Sequence, residues 1–135
     1  LETDDNAYVR RATAWSLANY DNQIVLKPLI NALKNDVAAV RLWSSSSLAE
    51  IGNVSLENAQ LAAEQLLISL KIDNEPGVRS NCIWSLCRLY EKLKNTLQES
   101  FVDECTKIAL FDKEPSVMEE AKTALDSMGM KGFYK

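Results

Sequence analysis

The sequence predicts an all-α fold, a solenoid of stacked helix pairs, and three observations carry that reading. The first is a recurring turn-to-helix stretch. Its fullest copy runs from Asp73-Asn-Glu-Pro-Gly-Val78-Arg79 to Trp84-Ser-Leu86 and Tyr90, and further copies are headed by Asp5, Asp36 and Asp112. The second is the register of those copies. Val9, Val40, Val78 and Val117 are each followed by small residues (Thr13, Ser44, Cys82 and Ala121, then Ser16, Ser47, Ser85 and Ala124). Leucine comes next (Leu17, Leu48, Leu86, Leu125), then Tyr20, Ile51, Leu89 and Met128. At about 100° per residue these offsets fall in one narrow stripe, the mark of a helix that buries a single face. The third is the period. The valines are 31, 38 and 39 residues apart, and self-similarity at roughly 30 to 47 residues without strand signals belongs to helix pairs that bury their apolar faces only by stacking.

Each element can be justified in turn. Residues 6–20 form a first motif helix with Asp5 as N-cap, a partial repeat. Residues 22–34 form a helix with Leu26, Leu29, Ile30 and Leu33 inward and Pro28 in its first turn. Asp36 caps a helix over 37–51, ended by Gly52-Asn53. Ser55 opens a helix over 56–72 with Leu56, Ala59, Ala63, Leu66, Leu67 and Leu70 inward. Pro76 starts the next in the first turn, where proline is tolerated, and it continues past Tyr90 to about Lys94. Thr96-Leu-Gln-Glu99 fits a capping box and starts a helix running through Phe101, Val102, Cys105, Ile108 and Ala109 to Phe111. Pro115 begins the last helix. This gives one domain over 1–135, about seven helices in three and a half repeats, with units near 1–20, 22–52, 55–94 and 96–129. A tail over 130–135 offers Phe133 and Tyr134 for docking.

Composition excludes several classes. The chain has 135 residues, 47% hydrophobic and 25% charged, which suits one cored domain and not a disordered segment. No apolar run approaches the ~18 residues of a membrane span, and no signal-peptide pattern opens the chain. The net charge of −4 is spread evenly along the sequence, so a phosphate backbone is not the expected partner. Three cysteines without a CxxC spacing fit a reducing compartment, and the cytoplasm is the expected location. There is no histidine, and the four glycines form no phosphate-cradling loop, so metal and nucleotide chemistry are not expected, nor is any cofactor. Cys82 and Cys105 read as core residues. Cys87 is the one that approaches the surface, without a cationic neighbour on its helix face to activate it.

The pattern Asp-x-x-Pro-x-Val-Arg followed by small, small and Leu resembles the second helix of a HEAT repeat, in the armadillo-like class of superhelices. The copies Val9-Arg-Arg-Ala-Thr-Ala-Trp-Ser-Leu17 and Val78-Arg-Ser-Asn-Cys-Ile-Trp-Ser-Leu86 also resemble the HEAT-like repeats of phycobilin lyases. The chain departs from the HEAT pattern where a glycine often follows the motif leucine, with Ala18, Ala49, Cys87 and Asp126 there, and it loses the arginine at Met118. The HEAT resemblance implies that Arg10, Arg41 and Arg79 tie repeats together through acidic turn residues, with Asp5, Asp36 and Asp73 as partners. It also implies that the second helices line a concave face, which Trp15 and Trp84 would meet unless they wedge between repeats.

The function expected is a non-enzymatic scaffold that binds another protein through that concave face. Trp15, Trp84, Arg11 and Arg88 are the contact residues, since tryptophan supplies large contact area at small entropic cost. Trp84 and Arg88 are four apart and form an aromatic-cation pair suited to an acidic, partly apolar partner. The alternative, implied by the second resemblance, is a lyase-like factor that delivers a bilin to a phycobiliprotein, Trp15 and Trp84 stacking on the chromophore and Arg11 or Arg88 pairing with its propionates. The first motif helix lacks a preceding partner. The expectation is a fragment of a longer solenoid, or a homodimer in which another copy covers Val9, Ala12 and Leu17.

Overall fold

The computed structural model describes residues 26–130. Six α-helices follow one another: α1 (Leu26–Asn35), α2 (Ala38–Gly52), α3 (Leu56–Ile72), α4 (Pro76–Leu89), α5 (Asn95–Phe111) and α6 (Pro115–Ser127), with a 3-10 turn, Tyr90–Lys92, after α4. There is no strand among the described residues. α1, α3 and α5 pack on one another in one layer, α2, α4 and α6 in the second, and each helix also packs on its partner across the layers. This is an all-α solenoid of stacked helix pairs. Asp5, Arg10, Arg11, Trp15, Phe133 and Tyr134 lie outside the described residues, as do Val9, Ala12 and Leu17.

The stripe of each second helix is the core. Val40, Ser44, Ser47, Leu48 and Ile51 are buried on α2, and Val78, Cys82, Ser85, Leu86 and Leu89 on α4. On α6 Val117, Ala121, Ala124 and Leu125 are buried, with Met128 packed against them. The small residues do what the stripe needs: they let α2 and α4 approach until Ser85 Oγ donates to the Ser45 carbonyl and Asn81 Nδ2 donates to the Leu42 carbonyl at 2.9 Å and to Ser46 Oγ at 2.8 Å. A seam of side-chain to main-chain bonds thus runs between neighbouring second helices. Gly52 belongs to the same economy of space, since a Cβ there would stand 3.1 Å from Ala62 Cβ and 3.2 Å from Leu89 Cδ1.

Several boundaries and faces differ from the sequence expectation. Asp36 is not the N-cap residue of α2. Val37 holds that position, and Asp36 Oδ1 accepts from its amide at 2.8 Å. The helix after Pro76 stops at Leu89 and does not reach Lys94, because the Gln60 amide takes over the main chain beyond it. Gln60 Nε2 donates to the Lys92 carbonyl at 2.6 Å and Gln60 Oε1 accepts from the Lys94 amide at 3.0 Å. Leu93 is thereby turned into the core. Thr96 does not cap α5. Lys94 is the N-cap residue and no side chain closes that end. Ser55 does cap α3, accepting from the Asn58 amide at 3.1 Å. Leu56, read as inward, is 66% exposed, and Phe111, where α5 ends, is 79% exposed. Both sit at helix ends, where the next helix of the layer no longer covers them. The chain leaves α6 through Gly129, whose φ of 77° favours glycine, with the Met130 amide bonded to the Leu125 carbonyl at 2.7 Å.

Candidate interaction site

Two constellations come out of this stacking. The first is a ladder of arginines along the repeat turns. Arg41 makes a two-pronged contact with Asp73, Nε to Oδ2 at 2.8 Å and Nη2 to Oδ1 at 3.1 Å, and its Nη1 donates to the Asp36 carbonyl at 2.8 Å. Arg79 repeats the arrangement one unit on, bonding Asp112 Oδ1 at 2.9 Å and the Asp73 carbonyl at 3.2 Å. Each arginine therefore ties the carboxylate of the following turn to the main chain of its own. Asp73 and Asp112 also accept from the amides of Glu75 and Glu114 at 3.0 and 2.9 Å, which shapes the turn into the next helix. The hydrogen bonding that Arg41 donates to Asp73 is the main influence that raises the Arg41 pKa, so the cation is permanent. Asp112 was absent from the expected ladder although it heads the fourth copy of the motif. The partner of each arginine is the next aspartate, so the final aspartate is needed even where its own arginine is lost.

The second constellation lies on the solvent side of the second helices. The register makes Trp43, Ser46 and Glu50 of α2 the equivalents of Asn81, Trp84 and Arg88 of α4 and of Glu120, Thr123 and Ser127 of α6, on helices that pack side by side. Trp84 is 42% exposed, so it is not enclosed between repeats. The Arg88 guanidinium carbon stands 4.9 Å from the centre of the Trp84 ring. The sequence reading left Arg88 free for a partner. The structure instead joins its Nη2 to Glu50 Oε1 at 2.9 Å, both side chains 45% exposed. The reason is the register: Glu50 and Arg88 hold the same position in successive repeats, and adjacent second helices bring equivalent positions together. Trp43, by contrast, packs against the core.

The thiols offer no nucleophile on this surface. Cys82 and Cys105 are buried, and burial raises both pKa values well above the ordinary thiol range. Cys87 is half-buried beside Trp84 and Arg88, and its pKa is pushed up to about 11, by burial first and by the charge of Glu120, against a lowering bond to Ser127. Among the described residues no group of three His, Cys, Asp or Glu side chains could hold a metal ion. No described helix is long and apolar enough to cross a membrane.

The family model for HEAT repeats matches residues 1–87. No curated protein matches the chain. The matched stretch carries the first three copies of the motif, including both rungs' arginines, and the structure continues the same helix pairing beyond it through α5 and α6. The chain therefore belongs to the HEAT-repeat family.

Proposed function

We propose that this chain is a non-enzymatic protein-binding scaffold whose partner docks on the solvent side of the second helices, the concave side of a HEAT superhelix, with Trp84 as its anchor. HEAT repeats commonly serve as protein-interaction scaffolds. The observation that carries the specific site is the 42% exposure of Trp84 in the middle second helix. A large aromatic ring held in place by a stacked guanidinium loses little freedom when a partner covers it, which is the character of an interface hot spot. Arg88 positions the ring from one side and is itself fixed by Glu50. Of the two arginines that the bilin-handling alternative offers to a propionate, Arg88 is already bound to Glu50 and Arg11 lies outside the described residues, so this geometry gives it no support.

The test pairs two measurements on Trp84→Ala. Binding to the partner captured from the source organism should weaken by about 2 kcal/mol or more, while the melting temperature should fall by only a few degrees. A large loss of melting temperature with unchanged affinity would mean that Trp84 serves packing and that the partner docks elsewhere.

A further inference from the structure

The charge of the partner follows from how the cations of this surface are already engaged. Among the described residues the second helices carry four cations, and each contacts a carboxylate of the protein itself. Arg41 bonds Asp73 at 2.8 Å, Arg79 bonds Asp112 at 2.9 Å, Arg88 bonds Glu50 at 2.9 Å, and Lys122 stands 3.5 Å from Glu119. Glu120 has no cation within 4.0 Å among the described residues. It is half-buried on α6, the helix packed beside α4, and close enough to the Cys87 thiol for its charge to act there. Among the described residues of the second helices the uncompensated charge is thus negative, and it lies on the helix packed beside that of Trp84.

We infer that the partner segment is basic and apolar: a lysine or arginine flanked by large apolar side chains, seated over Trp84 with its charge toward Glu120. This rests on the docking surface proposed above and reverses the acidic partner that the Trp84-Arg88 pair suggests when read alone. A partner carboxylate would have to displace Glu50 from Arg88 and would meet Glu120 and Glu119, so it exchanges one ion pair for another and adds repulsion. A partner cation displaces nothing. It finds the Trp84 ring, which is 42% exposed with Arg88 against it, and cations favour the face of tryptophan above other aromatics. It also finds Glu120, which no cation among the described residues pairs. Opposite charges across the rim of an interface act mainly on association rate and selectivity, while the apolar contact with Trp84 holds the complex.

The experiment is a selection from a displayed library of random linear peptides on the whole chain, with counter-selection on Trp84→Ala. Trp84→Phe, which keeps a stacking ring, replaces it if the alanine variant fails to fold. Peptides that depend on Trp84 should carry Lys or Arg next to Leu, Ile, Phe or Trp. For such a peptide Glu120→Lys should lower affinity by about tenfold at low ionic strength, with Glu120→Gln intermediate and with melting temperatures unchanged. Trp84-dependent peptides rich in Asp or Glu would overturn the charge assignment and leave the docking surface standing. An undiminished affinity in Glu120→Lys would remove Glu120 as the counter-charge and with it the inference. Recovery of no Trp84-dependent peptide would overturn the docking surface itself.

Discussion

Trp84 and Leu86 stand two residues apart on α4, the one 42% exposed and the other fully buried, so one belongs to the surface and the other to the core. Leu86→Ala removes methyl groups from a site closed on all sides, and the expected cost is about 2–5 kcal/mol in urea unfolding. Leu56→Ala, at a position the hydrophobic pattern marks as inward, should cost under about 0.5 kcal/mol because that side chain is 66% exposed. Equal losses at the two positions would place Leu56 in the core and contradict the packing of α3. Cys87 supplies a pH-dependent test. Its thiol ionises near 11 in the fold against 9.0 for the unperturbed group, so the native state keeps a proton that the unfolded chain releases. The contribution to stability is constant below pH 9 and declines as pH rises from there toward 11. Alkylation of Cys87 by iodoacetamide should accordingly stay slow at pH 8 and climb with a midpoint near 11. A midpoint at the ordinary thiol value would mean that the burial and the Glu120 charge do not act on it.

At the scale of the elements, the repeat turns and the helix faces differ in how much holds them. The Arg41-Asp73 contact is two-pronged, with side chains 21% and 7% exposed, and it closes on the Asp36 carbonyl as well. Lysine cannot reproduce that fork, and Arg41→Lys should cost about 1–3 kcal/mol. Lys122→Ala breaks a 3.5 Å contact to a Glu119 side chain that is 74% exposed, and it should cost under about 0.5 kcal/mol. Chemical denaturation of the two variants checks the order, and a smaller loss for Arg41→Lys would sink the ladder as a tie between repeats. The buried stripes were legible in the sequence because they are periodic, and a period survives without coordinates; the tie between repeats came from the HEAT resemblance, and the pairing of Arg79 with Asp112 was not foreseen. What was not legible were contacts between residues that carry no motif: Gln60 on Lys92 and Lys94, Lys92 on the Asn53 carbonyl, and Glu50 on Arg88. The last could have been found by asking which residues share a register one repeat apart. The early end of α4 could not, since nothing near Tyr90 in the sequence breaks a helix, and the amide that does so is 30 residues away.

In the molecule as a whole, substantial packing joins helices of one repeat or of adjacent repeats, and none of it links α1–α2 to α5–α6. Stability in such a stack is close to a sum of repeat terms and nearest-neighbour interface terms, so the position of a lesion along the stack decides how far it spreads. Leu125 lies in α6, whose substantial packing among the described residues is on α4 and α5, whereas Leu86 lies in α4, which packs on α2, α3 and α6. Both are fully buried leucines at the same register, so the large-to-small cost at each site is of one kind. The consequences differ by topology. In Leu125→Ala the amides of α5 and α6 should exchange faster while those of α2 and α3 keep their protection, because the α2–α3–α4 interfaces are intact. In Leu86→Ala protection should fall along α2, α3, α4 and α6 together, since α4 carries all three interfaces. Hydrogen exchange followed by mass spectrometry on the two variants reads this directly. A uniform loss across all helices in Leu125→Ala would show that the stack opens as one cooperative unit, and the repeats could not then be treated as separable terms.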